Sequence, residues 1–115
     1  MSYRITVRNA ILAAAVALGT AACSTVEFGR NYDLRTFETN VQRGSTTQTQ
    51  VRGWLGAPNS TGVVVDTNGD RYQEWTYYYG HGRLPNMVDA QLKVLQIKFD
   101  DLGVVRAYNW SGDSK

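Results

Sequence analysis

The residue types able to do chemistry are few in this sequence, and each stands nearly alone. Cys23 is the single cysteine, so neither a disulfide framework nor a multi-cysteine metal site can be built. His81 is the single histidine and sits in a Gly80-His81-Gly82 run. A catalytic base needs a positioned nucleophile and an orienting partner, and nothing near His81 in sequence supplies either. A zinc site wants three or four ligands, which one histidine does not complete. Asp66-Thr-Asn-Gly-Asp70 has the acidic spacing of a calcium loop, but Gly falls at the fourth place rather than the sixth and no Glu closes it at the twelfth. A hairpin turn explains those residues better. The expectation is a chain with no catalytic residue, no metal and no cofactor. What remains are aromatic and cationic side chains. Tyr78, Lys98, Arg106, Tyr108 and Trp110 are candidates for contact with a protein partner, because Tyr, Trp and Arg offer interfaces a large area with a polar handle.

Cys23 has a context of its own. Arg4 and Arg8 give residues 1–22 a positive start without any acid, and Ala10 to Leu18 form an uncharged apolar run of nine residues. Gly19-Thr20-Ala21-Ala22 then lead into Cys23. This is the layout of a secretory signal peptide, and the run is far short of the ~20 residues a spanning helix needs. With Cys at the point where the mature chain would begin, the segment resembles the lipobox of bacterial lipoproteins, with Thr20 where Leu is usual. The resemblance implies a Cys23 acylated on sulfur, cleaved, and acylated again on its amino group, so that the chain meets the membrane through an N-terminal lipid anchor. Each buried CH₂ contributes ~0.8 kcal/mol, so one chain holds reversibly and two or three hold durably. Ser24 follows, which in the enterobacterial sorting rule permits transfer to the outer membrane and implies its periplasmic side.

The elements that must position the candidate residues follow from periodicity. Removing Arg4 and Arg8 leaves ten bases against ten acids in the rest of the 115-residue chain, and a neutral body is a poor binder of nucleic acid. That length allows one domain. Residues 23–32 show no sustained period and read as a tether reaching ~17 Å. The domain is expected over 33–110, and 111–115 form a tail. Asp33 can cap a helix carrying Leu34, Phe37 and Val41 on one stripe, ended by Gly44. Thr47 and Gln50 form a capping box for a second helix with Val51, Trp54 and Leu55 on its face, stopped by Gly56 and Pro58.

From Ser60 the period becomes two. Gly62 to Asp66 and Arg71 to Tyr79 read as a hairpin whose Asn68-Gly69 pair suits a type I′ turn. Residues 80–89 read as a loop. Gln91 to Asp100 and Val104 to Trp110 form two more strands around a tight turn. Parity puts Trp75, Tyr77, Tyr79, Leu95, Ile97 and Phe99 on one face, and Tyr78, Lys98, Arg106, Tyr108 and Trp110 on the other. Two amphipathic helices and a sheet with one apolar face bury their stripes only against each other. The expected fold is α+β, with two N-terminal helices packed on a three- to four-stranded antiparallel sheet as a two-layer sandwich.

The order of short motifs is similar to one known family. Gly44-Ser-Thr-Thr-Gln-Thr-Gln-Val51 with Leu55-Gly56-Ala57-Pro58 resembles its G-x-T-T-x-x-x-V…L-G-x-P segment. Glu74-Trp75-Thr76-Tyr77 resembles its W-x-Y strand, and Leu95 to Val105 its closing L-x-V-x-F-D-x-x-G-x-V hairpin. The family is that of the SmpA/OmlA (BamE-like) outer-membrane lipoproteins. The resemblance implies a non-enzymatic, protein-binding domain that supports outer-membrane protein assembly or envelope integrity, with the β-barrel assembly machinery as one partner. Residues 28–33 do not carry the family's partner-contacting pattern, so the resemblance speaks for the domain more than for that complex. The same two-layer module, duplicated, occurs in β-lactamase-inhibitory proteins, so an inhibitor of a periplasmic enzyme is an alternative. A structural lipoprotein that binds lipid or peptidoglycan is another.

Overall fold

The computed structural model describes residues 24–87 and 89–112; residues 1–22 and Cys23 lie outside them. In chain order the elements are β1 (Thr25–Gly29), α1 (Leu34–Asn40), α2 (Gln48–Leu55), β2 (Ser60–Val65), β3 (Arg71–Arg83), β4 (Gln91–Phe99) and β5 (Val105–Ser111). The fold is α+β, two helices with a five-stranded antiparallel sheet. Two expectations are corrected here. The helices are not N-terminal, because β1 precedes them, and the sheet has five strands rather than three or four.

Both corrections trace to β3, a strand of 13 residues. Its first half pairs with β2, from Val65↔Arg71 to Ser60↔Thr76, and its last residues pair with β1, from Gly29↔Tyr79 to Thr25↔Arg83. One edge of β3 is thus covered by two short strands in line. Residues 25–29, read as tether, satisfy backbone groups that would otherwise stand open. Residues 80–83, read as loop, are strand, and His81 lies in it opposite Glu27 and Gln91. On the other edge β3 pairs with β4, and β4 with β5.

Thr47 caps α2 as expected: its hydroxyl accepts from Gln50 N at 3.2 Å, and Gln50 Oε1 accepts from Thr47 N at 3.0 Å. Thr47→Ala should cost about 1 kcal/mol, read as a lower denaturation midpoint at unchanged slope. Helix α1 ends earlier than its stripe suggests. Val41 is already extended, although its N–H still donates to Phe37 O at 2.9 Å. Gly44 serves the link between helices instead, at φ +84° with its N–H on Val105 O.

The helices bury Leu34, Phe37, Val51 and Leu55 against Trp75, Tyr77, Leu95, Ile97, Phe99 and Val105. The linking residues tie this layer to β5. Thr46 is buried, its hydroxyl accepts from Gln42 N, and its carbonyl accepts from Val105 N at 2.8 Å. At the far end of α2, the Tyr77 hydroxyl donates to Gly56 O at 2.8 Å. Burial pushes the Tyr77 hydroxyl up to about 12, so it stays a donor throughout the ordinary pH range.

Two hairpins use one turn device. Asp66 Oδ1 accepts from Asn68 N and Asp70 N, and Gly69 takes φ +85°. Asp100 Oδ1 accepts from Leu102 N and Val104 N, and Gly103 takes φ +76°. Asn68 does not have positive φ, so the expected type I′ turn is replaced by a three-residue loop with a left-handed glycine at its end.

Candidate functional site

The five candidate residues are divided between the two faces of the sheet. Tyr78 and Lys98 lie on the face away from the helices, in register with Val94 and Glu74. Tyr108 pairs with Ile97 and Trp110 with Leu95, both buried, so these two aromatics share the face that carries the helices. Strict alternation puts them on the outer face. A β-bulge defeats it: Phe99 pairs with Val105 and Lys98 with Ala107, which leaves Arg106 as the extra residue. Every side chain after Arg106 is moved to the opposite face.

Arg106 itself turns back to its own hairpin. Its Nε donates to Asp100 Oδ2 at 2.7 Å. Asp100 therefore receives hydrogen bonds on both oxygens. The Val104 N–H above all, with Arg106 and the Leu102 N–H, holds its carboxyl below the ordinary 3.8. A carboxylate with a depressed folded pKa stabilises fully above its unfolded value, and the benefit is lost as pH falls through the folded value. The wild-type chain should accordingly lose stability faster than Asp100→Ala as pH drops below about 4, in thermal melts.

Tyr108 and Trp110 belong to a line of rings. Phe37 lies edge-on to Trp54 at 6.5 Å between centroids and to Tyr108 at 5.2 Å, and Tyr108 stacks on Trp110 at 6.0 Å. The line begins in the core and ends on β5, the outer strand of its side of the sheet. Trp110 is 46% exposed there, whereas Tyr108 is half-buried. Arrangements of this kind suit protein contact, because a ring already held on one side loses little freedom when its other side is covered.

Sequence reasoning did not see a second surface. On the outer face the row Phe28–Gly80–Leu92 crosses β1, β3 and β4, and the next row, Tyr78–Val94, is apolar as well. A groove of about 200 Å³ runs over Gly80 beside Phe28, Met87, Ala90 and Leu92. Further along, the rows Thr76–Gln96–Asn109 and Glu74–Lys98–Ala107 are largely polar. The signal lay in the alternate glycines at 80 and 82, which suit strand positions over which neighbours fold.

The helix side of this end holds a buried cation. Lys93 Nζ donates to Tyr32 O at 2.6 Å and lies 4.5 Å from the centre of the Tyr32 ring. Burial pushes the Tyr32 hydroxyl up to about 12. Lys93 thus fastens the segment between β1 and α1 to β4. Among the described residues, no three His, Cys, Asp or Glu side chains gather to hold a metal, and no helix is long and apolar enough to cross a membrane. Comparison of the chain with protein-family models, curated proteins and solved structures found no match.

Proposed function

We propose that this chain is an outer-membrane lipoprotein whose domain, of the SmpA/OmlA (BamE-like) kind, binds a protein partner of the cell envelope and supports outer-membrane protein assembly or envelope integrity. Residues 1–22 act as the signal peptide, and acyl chains on Cys23 hold the domain at the periplasmic side of the membrane. The observation that carries this reading is the position of Cys23. It directly follows the small residues of the leader and directly precedes Ser24, whose carbonyl accepts from Leu84 N at 2.9 Å. Acylation there keeps the folded body within a few ångströms of the lipid, and such a body can act only on envelope components within its reach.

The contact surface in this reading is the β5 edge, with Trp110 as the anchor and Tyr108 as its support, while Arg106 stays with Asp100 in its own hairpin. Site-specific incorporation of a photoreactive phenylalanine at Trp110 in the full chain tests it. Irradiation of living cells should give a covalent adduct with an envelope protein, and barrel-assembly subunits would place the chain in that machinery. An adduct only with a soluble enzyme would favour the inhibitor reading, and no adduct at any β5 position would remove this surface from consideration.

A further inference from the structure

The outer face of the sheet is divided along its length, and the division has a direction. Its polar rows lie toward β2, and its apolar rows lie toward the end where β1 begins. At that end Phe28 is 54% exposed, Leu92 63% and Leu84 43%. Scattered apolar side chains need no explanation, but these cluster. A Cβ placed on Gly80 would lie 3.2 Å from Leu92 Cδ1 and 3.5 Å from Phe28 Cδ2, so both side chains lean over one bare position of the strand. A Cβ on Gly82 would lie 2.9 Å from Met87 Sδ and 3.3 Å from Ala90 Cβ. The two glycines make a floor that Phe28, Leu92, Met87 and Ala90 roof with carbon and sulfur.

We infer that this apolar end is a lipid-contacting surface, which lays the outer face of the sheet on the leaflet that holds the anchor. The inference rests on the reading of Cys23 as acylated and extends it from one residue to a face of the fold. Where the chain enters the domain decides the occupant. Cys23 is one Cα–Cα step of ~3.8 Å from Ser24, and Ser24 is bonded to Leu84. Counted from Ser24, the Gly82 row lies two residues along and the Phe28–Gly80–Leu92 row four, or ~7 and ~13 Å at the rise of an extended strand. Lipid held at Cys23 is therefore the apolar phase nearest to these side chains at all times. Phe28, Leu92 and Met87 enter it, while Thr76, Gln96 and Lys98 at the other end stay in water. The helices and the Tyr108–Trp110 line, on the opposite face, stay free for a protein.

A single introduced thiol tests this, since acylation blocks the sulfur of Cys23. The full-length lipoprotein carrying Leu92→Cys, labelled with an environment-sensitive fluorophore, is reconstituted into phosphatidylethanolamine–phosphatidylglycerol vesicles with and without nitroxide-bearing acyl chains. Val63→Cys on β2 serves as the distant control. A blue-shifted, several-fold brighter emission at position 92, quenched by the nitroxide, with position 63 unchanged, is the expected result. A chain that floats with the vesicles but whose label at 92 stays unquenched overturns the lipid-contacting face and leaves the anchor standing. Equal quenching at both positions also overturns it, as does shielding at 92 that depends on protein concentration and not on nitroxide, which marks a second copy as occupant. A chain that does not float overturns the anchor and this inference together.

Discussion

Phe37→Ala is expected to cost about 3–5 kcal/mol, the range for emptying a fully buried aromatic site. Phe37 is completely buried and is the ring through which α1 reaches both Trp54 and Tyr108. Its loss leaves a cavity between the helix layer and the β5 side of the sheet, where Trp54 and Tyr108 both lose their edge-on partner. Domains of this size are stable by about 5–15 kcal/mol, so the variant should sit near the threshold of folding. Equilibrium denaturation in detergent measures it, and tryptophan emission gives a second readout because Trp54 loses its edge-on partner. Phe37→Leu should recover most of the loss. A cost below about 1 kcal/mol for the alanine variant would mean that the two layers do not depend on this ring.

That prediction shows where the sequence was readable. Leu34 and Phe37, Val51 and Leu55, and the alternation from Trp75 to Tyr77 and from Leu95 to Phe99 report burial directly, because each period is short and locally unbroken. The capping box of Thr47 and Gln50 is equally local. Tyr108 and Trp110 were misplaced because a bulge is invisible to alternation: nothing in Val105-Arg-Ala-Tyr108 says that Arg106 lies outside the count. Residues 25–29 and 80–83 escaped because neither segment is a strand by itself. Residues 25–29 become strand only on meeting β3, and residues 80–83 on meeting β1 and, at Gly80 and His81, β4; the β1–β3 partners lie fifty or more positions apart. The candidate surface was legible as residue types and not as geometry.

The motif residues have a physical account of their own. Gly44, Thr46 and Val105 close the seam between the helix link and β5, and Gly56 accepts the Tyr77 hydroxyl. These positions hold the helices to the sheet. A resemblance built on them speaks to the architecture, and the choice of partner must come from the exposed residues around them.

The second large effect concerns Cys23. Cys23→Ala removes the only sulfur that can carry acyl chains. The expected outcome is loss of palmitate labelling, with the chain retained as a precursor or recovered in the soluble periplasmic fraction instead of the outer membrane. Because the folded body lies beyond this residue, its melting behaviour should be unchanged. Normal labelling of the variant would place the anchor elsewhere in the chain. Wild-type fractionation with an unchanged mass would show that the leader, not a lipid, holds the protein.

Intact-mass analysis of the wild-type protein extracted from its own membranes goes to the centre of the account. The predicted species begins at Cys23, lacks residues 1–22, and carries the added mass of a diacylglyceryl group with a further acyl chain. A native species with a free Cys23 thiol, or with the leader still attached, would contradict it.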